Sequence, residues 1–486
     1  MIDRPQSESP ILTRRELLSN VSSGASGLAL TSILFKDGYA AEIPSDVESI
    51  QTAPAKSVIW LFMAGGVSHM ESFDIKPALN KYAGKTFEET PFKDFLDKDR
   101  IEKNLAGQGM TIPPHKELKG LSTGYKKYGE CGLEVGDWFQ HIGECADDLA
   151  IVRSLWTVHP NHGMQLTWHT GHHVREGAQP TIGSWVAYGL GSLNEELPEF
   201  LVLGNSIGGC CGGEYGHGAS HLGLQYAGVK LSTDPENPLP FVKPFGKRRR
   251  KSEARAELEL INQLNNLSLQ RRPEDAALEA RIKSYELAAK MQTSAPDLVS
   301  IQQESQATLN LYGINHDHSR EFGTQCLIAR RMVEAGVRFI QIYHGTGGAG
   351  KWDAHSDIKK KYDVQAPAVD QPISGLLKDL KQRGLLDSTL VVFGTEFGRT
   401  PGAQGTGRDH HPQGFTCWLA GGGIKGGITH GATDELGFYA VDNPHYVTDV
   451  HATVLHQLGL DSHKLEIPGR KRLDIHRGLP IDDIIA

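Results

Sequence analysis

The chain has few cysteines, no long apolar run and no large excess of one sign of charge. Its six cysteines contain no C-x-x-C pair, which argues against a cysteine-ligated zinc site, and we take them as structural. No stretch reaches the ~20 apolar residues that a membrane span needs. The net charge of −8, with mixed signs, gives no electrostatic case for nucleic-acid binding. What remains is a globular protein, and 486 residues with 39% hydrophobic content can bury a large core.

The N-terminus has the features of an export signal. Arg14 and Arg15 precede a mildly apolar, small-residue stretch that ends at Ala40. A basic start, a weak apolar run and a small-residue cleavage site are typical of a cleavable signal peptide. The paired arginines indicate the twin-arginine route. An ordinary surface helix with two arginines is the alternative. We therefore expect residues 1–40 to be a twin-arginine signal peptide, the mature chain to start near Ala41, and the protein to be periplasmic or secreted.

Short apolar runs alternate with amphipathic stretches over most of the chain. The runs, which read as buried strands, cover residues 57–63, 149–152, 200–204, 337–343, 390–394 and 415–420. The amphipathic stretches, which read as helices, cover residues 320–335, 368–383 and 446–458. This alternation predicts an α/β fold with an open, mainly parallel sheet and helices on both faces. We expect residues 41–486 to form this one domain.

A long polar segment interrupts the alternation. Residues 246–310 begin with the basic run 247–251 and continue with charged helical repeats, which the Arg272-Pro273 step divides into two helices. We expect a projecting helical hairpin, inserted in the domain. The basic run could bind an anionic polymer, although a solvated start of a helix is the simpler interpretation.

Residues of the kinds that bind metal ions follow several predicted strands. After the first strand, the turn Gly65-Gly66 precedes His69 and Asp74. A second group is richer in imidazoles, because five histidines lie within residues 159–173. Among these, His162 stands beside a predicted helix start, where anions are favoured. Both groups are candidates for a site, although a histidine in a turn is more commonly only hydrogen-bonded.

Two later strands are followed by similar residues. Asp353 and His355 lie in a loop after the strand predicted at 337–343. A carboxylate and an imidazole two residues apart can bind one metal ion from an extended turn. Glu396 follows directly after the strand predicted at 390–394. These loops therefore bring further candidate ligands to the ends of strands.

The segment before the strand at 415–420 is the densest in candidate ligands. Asp409, His410 and His411 form a turn flanked by glycine and proline, for which a polar surface loop is the alternative interpretation. Arg399 and Arg408 add fixed positive charge nearby. Guanidinium groups can hold phosphate, sulfate or carboxylate in a bidentate way.

An open sheet gathers the loops that follow its parallel strands at one edge, so we expect most of these side chains to converge in one pocket. The predicted metal ligands are His69, Asp74, Asp353, His355, Glu396, Asp409 and His410. The predicted catalytic residues are His162 and His411 as general acid or base, with Arg399 and Arg408 holding the anionic group. Asp353, His355 and Glu396 are better candidates as ligands than the histidine after the first strand.

Several motifs together resemble a known family. They are Met63-Ala64-Gly65-Gly66, Ser68-His69, Phe73-Asp74, Thr170-Gly171, Ile182-Gly183-Ser184-Trp185, Gly394-Thr395-Glu396-Phe397-Gly398-Arg399-Thr400-Pro401, Arg408-Asp409-His410-His411-Pro412, Leu419-Ala420-Gly421-Gly422-Gly423 and Asp449-Val450-His451-Ala452-Thr453. From about residue 57 to the C-terminus, the chain resembles the domain-of-unknown-function 1501 family, twin-arginine-exported bacterial proteins similar to sulfatases. The resemblance implies an alkaline-phosphatase-like three-layer sandwich and metal-dependent hydrolysis of phosphate or sulfate esters, without an established substrate.

The sequence departs from sulfatases at three positions that matter for chemistry. The resemblance places Gly65-Gly66 where sulfatases have two metal-binding aspartates after the first strand. It places Asn161, which is not a usable nucleophile, at the position of the sulfatase nucleophile. The later Asp-His pair of sulfatases aligns with Glu396-Phe397, so one acid remains and one imidazole is lost. A sulfatase mechanism cannot be transferred unchanged.

Two functions remain open. The first is an exported metal-dependent hydrolase of phosphate or sulfate esters, in which zinc, manganese or calcium activates water in place of the missing nucleophile. Its substrate would be a small anionic ester or a sulfated glycan. The second is a non-catalytic binding protein on a sulfatase-like fold, for sulfated glycans or as part of a surface assembly.

Overall fold

The computed structural model describes residues 52–96, 117–194, 196–205, 212–234, 237–239, 251–272, 278, 282, 286, 291, 295–345, 349–461 and 478–486. The predicted signal peptide, residues 1–40, lies outside the described residues, as does the basic run up to residue 250.

The strands are numbered along the chain. They are β1 (Ser57–Met63), β2 (Tyr125–Tyr128), β3 (Leu133–Gly136), β4 (Leu149–Trp156), β5 (Phe200–Leu203), β6 (Val229–Leu231), β7 (Phe339–His344), β8 (Thr389–Gly394), β9 (Gly398–Gln404), β10 (Gly407–His411), β11 (Phe415–Ala420), β12 (Ile428–His430), β13 (Ala432–Thr433), β14 (Ala440–Asp442) and β15 (His445–Tyr446). Nine of them form one sheet in the order β12-β4-β11-β8-β1-β7-β5-β6, with β15 beside β4. Strand β11 runs antiparallel to both of its neighbours, and the other pairings in this sheet are parallel.

Strand β1 shows why the sheet is buried on both faces. All seven of its residues are buried, as a continuous apolar run predicts. Because successive side chains point to opposite faces, Ile59 and Leu61 belong to one hydrophobic cluster, while Trp60 and Phe62 belong to another. The sheet is therefore the middle layer of three.

Helices form the two outer layers. The described helices are α1 (Ala78–Lys81), α2 (Gln140–Gly143), α3 (Met164–Thr170), α4 (Ile182–Leu190), α5 (Lys251–Arg271), α6 (Gln306–Leu311), α7 (Arg320–Glu334), α8 (Ile358–Gln382) and α9 (Val447–Gln457). Helices α7 and α8 pack on the face that carries Ile59, and α3, α4 and α9 pack on the face that carries Trp60. The predicted α/β class, with a mainly parallel sheet covered on both faces, is confirmed.

The predicted insertion at residues 246–310 is largely helical where it is described, but only part of it is exposed. In helix α5 the apolar side chains of Leu260, Ile261, Leu264 and Leu267 are exposed. By contrast, Met291, Ala295 and Val299 are buried in the same core cluster as Ile59. The expectation of a wholly projecting hairpin is wrong for this second part, because its apolar side chains complete the core.

The composition predicts no membrane span and structural cysteines. Within them, no helix is both long and apolar enough to cross a membrane. Cys131 is exposed, whereas Cys145, Cys326 and Cys417 are buried, and all four are free thiols. Burial raises the pKa of Cys326 and Cys417 well above the usual value for a thiol, as befits structural residues.

The topology brings chemically active loops to one edge of the sheet. Strands β1, β4, β7 and β8 are parallel and end at this edge, and the antiparallel β11 begins there. The hairpin of β9 and β10 fills the connection between β8 and β11. Every loop that carried candidate ligands in the sequence therefore starts or ends at this edge.

Candidate metal centre

Asp353 is the hub of a cluster of ionisable side chains. Its Oδ1 lies 2.9 Å from Arg399 Nη2, 2.9 Å from His410 Nε2 and 3.1 Å from His355 Nε2. Its Oδ2 lies 3.7 Å from His162 Nε2. Three histidines from three separate loops thus face one carboxylate, in the arrangement expected where parallel strands end.

Glu396 is the second carboxylate of the cluster and is fully buried. The backbone N–H of Gly65 donates to its Oε1 at 2.9 Å and to its Oε2 at 3.1 Å. His162 Nδ1 lies 2.9 Å from Oε1, and Thr395 Oγ1 donates to Oε2 at 3.1 Å. These contacts hold the carboxylate against the turn that follows β1.

Two groups of side chains could each hold a metal ion among the described residues. One is His162, Asp353 and His410, and the other is His355, Asp409 and His410. In each group the ligand atoms lie within 4.8 Å of one another. His355 Nδ1 is 3.4 Å from Asp409 Oδ1, so the second group is already in contact. His410 is common to both groups.

Hydrogen bonds behind the cluster orient two of the rings. The carbonyl of Pro160 lies 2.5 Å from His410 Nδ1, which places the proton on that nitrogen and leaves Nε2 facing Asp353. His355 Nδ1 is hydrogen-bonded to Gln404 Oε1 on β9. Both Nε2 atoms are therefore directed at the same carboxylate oxygen.

The charges in the cluster shift several pKa values. Burial acts to lower the pKa of His162, but hydrogen bonds with Asp353 and Glu396 outweigh it and raise the pKa to about 9. Burial dominates for His410 and lowers its pKa to about 4. Burial would raise the pKa of Asp353, but the three histidines and Arg399 together bring it well below its usual range. Asp353 is therefore ionised.

Arg399 is completely buried and is not available to an anionic substrate. Its nitrogens donate to the carbonyl oxygens of Gly65, Gly66 (2.8 Å), Trp352 (3.3 Å) and Arg408 (3.2 Å), and to Asp353 Oδ1 (2.9 Å). The guanidinium therefore fastens the turn after β1 to the hub carboxylate. The expected bidentate hold on phosphate or sulfate is not what this geometry provides.

Arg408 does not reach the cluster. It is fully buried beside Glu71, with Nε and Nη2 each 2.8 Å from Glu71 Oε1. Its remaining donors go to the carbonyl oxygens of Lys119, Gly120, Thr400 and Pro401. A buried charge needs a partner of opposite sign, and this ion pair supplies it. Arg408 was expected to hold the anionic group of the substrate, and the structure instead places it in this buried ion pair.

Three further candidates also lie outside the cluster. His69 Nε2 is 2.9 Å from the carbonyl of Gly437, and His411 Nε2 is hydrogen-bonded to the carbonyl of Phe438. Asp74 Oδ1 pairs with Lys76 Nζ at 2.9 Å, and Asp74 Oδ2 accepts from Thr433 Oγ1. All three candidates are buried against the β13–β14 region. The turn after β1 is at the site, but the side chains beyond it are not.

The contribution of the Gly65-Gly66 turn could not be foreseen from side chains. Gly65 has φ +121° and Gly66 has φ +85°, values that favour glycine. A Cβ on Gly65 would lie 2.4 Å from Asp353 N, so backbone approaches backbone here. A Gly-Gly pair directly after a buried strand is the one sequence signal for this close approach.

Distant similarities to solved structures were found. The chain has 11% identity to Ps i-CgsB (TM-score 0.37, covering 85% of this chain and 73% of that one). It has 12% identity to a phosphonate monoester hydrolase from Silicibacter pomeroyi (TM-score 0.36, covering 71% of each chain). It has 12% identity to the PsFucS1 sulfatase from Pseudoalteromonas sp. (TM-score 0.35, covering 92% and 77%). Similarities this distant carry no argument about activity.

A family profile gives the firmer result. No curated protein matches the chain. The profile described as "Protein of unknown function (DUF1501)" matches residues 55–485, which is most of the sequence. The resemblance drawn from the motifs is confirmed, and the chain belongs to the DUF1501 family.

Proposed function

We propose that this protein is an exported, metal-dependent hydrolase of phosphate or sulfate esters. The observation that carries the proposal is the convergence of His162, His355 and His410 on Asp353, with Asp409 and Glu396 beside them. So many ionisable groups in one partly buried cluster are costly without a counter-ion. A bound cation offsets that cost directly.

The donor set indicates which kind of ion fits. Imidazole and carboxylate ligands together suit zinc or manganese, whereas calcium prefers oxygen ligands alone. Separations within 4.8 Å are compatible with ligands placed at about 2.1 Å from one ion. We assign the ion to His355, Asp409 and His410, with Asp353 beside it, because His162 is already held between two carboxylates.

The residues around the ion then have distinct tasks. When bound, the ion supplies a nucleophile by lowering the pKa of a water molecule to about 7. His162 and Glu396 share a hydrogen bond of 2.9 Å, so this pair can hold a proton for the leaving group. Arg399 keeps Asp353 in place and does not contact the substrate. The Arg14-Arg15 motif supports the exported part of the proposal, in which the reaction takes place in the periplasm or outside the cell.

Metal content tests the proposal most directly. His410 belongs to both ligand groups, so His410→Gln should abolish stoichiometric zinc or manganese in elemental analysis of the purified protein. His430→Gln is the matched control, because the side chain of His430 is 9% exposed against 13% for His410 but is bonded to His445, outside the cluster. Wild type and control should also hydrolyse 4-nitrophenyl phosphate or sulfate, and His410→Gln should not. Wild-type protein without metal in its native compartment would refute the proposal.

One observation favours the alternative of a non-catalytic binding protein. Asn161, which is not a usable nucleophile, accepts a hydrogen bond at its Oδ1 from Gly163 N at 3.0 Å, and Thr395 Oγ1, the hydroxyl beside Glu396, also donates to the carbonyl of Met63 at 2.8 Å. Metal-loaded protein that binds sulfated sugars without turnover would establish this function instead. The metal assay and the turnover assay therefore separate the two functions.

A further inference from the structure

A group of hydrogen-bond donors lies next to the metal cluster and has no role in it. His159 follows strand β4, and its neighbour Pro160 is bonded through its carbonyl to His410 Nδ1 at 2.5 Å. Three residues of extended chain span at most about 10 Å, so His159 lies within that distance of His162. The backbones of His159 and the cluster residue His162 are therefore neighbours.

His159 faces a second imidazole across a short gap. Its ring centroid is 6.1 Å from that of His173, with the two planes at 63°. His173 Nδ1 accepts the backbone N–H of Arg175 at 3.1 Å, so the proton of neutral His173 is on Nε2, which is left as a donor. The side chain of Arg175 is exposed, and no carboxylate lies within ion-pair distance of it in the described part of the chain.

Glu176, the carboxylate next in sequence to Arg175, is engaged by the ring of His172 and by the backbone of His173. Glu176 Oε2 is 2.8 Å from His172 Nδ1, and its Oε1 accepts the N–H of His173 at 3.3 Å. His159 is only 4% exposed, and its Nδ1 has no hydrogen-bond partner among the described residues. Burial first, and then the charges of His173 and Arg175, lower its pKa. A buried polar atom without a partner is costly, and a ligand would remove that cost.

The rest of the site makes an anion the matching ligand. Arg399 and Arg408 are buried and fully engaged with carbonyl oxygens and carboxylates, so neither can bind an anion. Lys361 Nζ donates to the carbonyl of Asp353, whereas His159, His173 and Arg175 keep side-chain nitrogens without a partner among the described residues. We propose that they form a subsite for a second anionic group of the substrate, which identifies the substrate class as a multiply charged ester. The assignment to a substrate rests on the proposed function, whereas anion binding itself does not.

Calorimetric titration with two sugars tests the subsite. A disulfated monosaccharide should bind the wild type more tightly than its monosulfated counterpart does. Loss of one charged donor weakens binding by about tenfold. Arg175→Gln should therefore lower the affinity for the disulfated sugar by that factor and leave the affinity for the monosulfated sugar unchanged. Arg272→Gln, which removes an exposed arginine outside the site, is the matched control and should change neither affinity.

The same titrations in His410→Gln protein separate this inference from the proposed function. If that variant loses turnover but still discriminates the two sugars, and Arg175→Gln removes the discrimination, the subsite stands independently of catalysis. If wild-type protein binds both sugars equally, or if Arg175→Gln binds the disulfated sugar as tightly as the control does, the subsite is refuted. His173→Gln is a second test variant. It removes the imidazole Nε2 donor and should also lower the affinity for the disulfated sugar only.

Discussion

The turn after β1 gives the sharpest test of how the site is built. We predict that Gly65→Ala destabilises the protein and depletes its metal. An added Cβ would lie 2.4 Å from Asp353 N and 2.8 Å from two backbone atoms of Trp352. Real Cβ contacts do not fall under 3.0 Å, so the backbone of Asp353 must shift by about 0.6 Å. Backbone, unlike the end of a side chain, cannot yield cheaply.

The magnitude follows from two separate costs. A residue other than glycine at φ +121° is strained by about 1–3 kcal/mol. Forcing an extra carbon into a packed region costs about 1–3 kcal/mol more. Gly65→Ala should therefore lose about 2–6 kcal/mol of folding free energy. Gly384→Ala is the matched control, because Gly384 has φ +67° with nothing within 4 Å of a new Cβ, and it should lose only about 1–2 kcal/mol.

Urea denaturation and elemental analysis provide the two measurements. The midpoint of Gly65→Ala should fall well below that of Gly384→Ala at an unchanged m-value. Its metal content should fall as well, because the shift acts on the hub carboxylate, whereas the control should keep its metal. Equal midpoints and equal metal contents for the two variants would show that the turn does not constrain Asp353.

Two further predictions concern the insertion and the response to acid. Replacing Lys251–Arg271 by a short Gly/Ser linker should leave soluble, cooperatively unfolding protein, but extending the replacement to Val299 should not, since Met291, Ala295 and Val299 are in the core. Burial, with a smaller effect of Lys230, lowers the pKa of His217 to about 4. Between pH 6.5 and 4 the unfolded chain therefore binds a proton that the folded chain excludes. As the pH is lowered through this range, the free energy of unfolding decreases by up to about 3 kcal/mol because of this residue. Urea midpoints of His217→Gln should fall less between pH 7 and 5 than those of the wild type, and parallel curves would contradict this.

The sheet was predictable because its strands are short, apolar and buried on both faces. Strands β1 and β11 have the predicted bounds, and β7 differs from its prediction only at the ends. Strand β4 is longer than residues 149–152, because Arg153 and Ser154 are polar and interrupt the apolar run. Because the flanking glycines and proline disfavour strands, the sequence predicts a turn at Asp409, His410 and His411, whereas the structure has these residues in strand β10, paired with β9.

The candidate site was predictable to the extent that it depends on topology. Loops after parallel strands converge at one edge, and this rule brought Asp353, His355, Glu396 and His410 together. The rule does not say how far along each loop the site extends. His69 follows the turn by only a few residues, yet its Nε2 is bonded to the carbonyl of Gly437, outside the cluster. A residue directly after a strand is therefore a better candidate for the site than a residue a few positions further along the loop.

The buried arginine of the cluster shows why sequence alone misassigned the anion-binding group. A sharp turn at a sheet edge leaves carbonyl oxygens without ladder partners, and buried carbonyls need donors. Gly65 and Gly66 are in this position, and Arg399 satisfies both of them. An arginine in a sequence motif can thus serve to hydrogen-bond backbone carbonyl oxygens. The pattern of side chains in the sequence does not reveal this role. Recognition of the anionic substrate then requires donors that the backbone does not consume, and at this edge of the sheet Arg175 is one such donor.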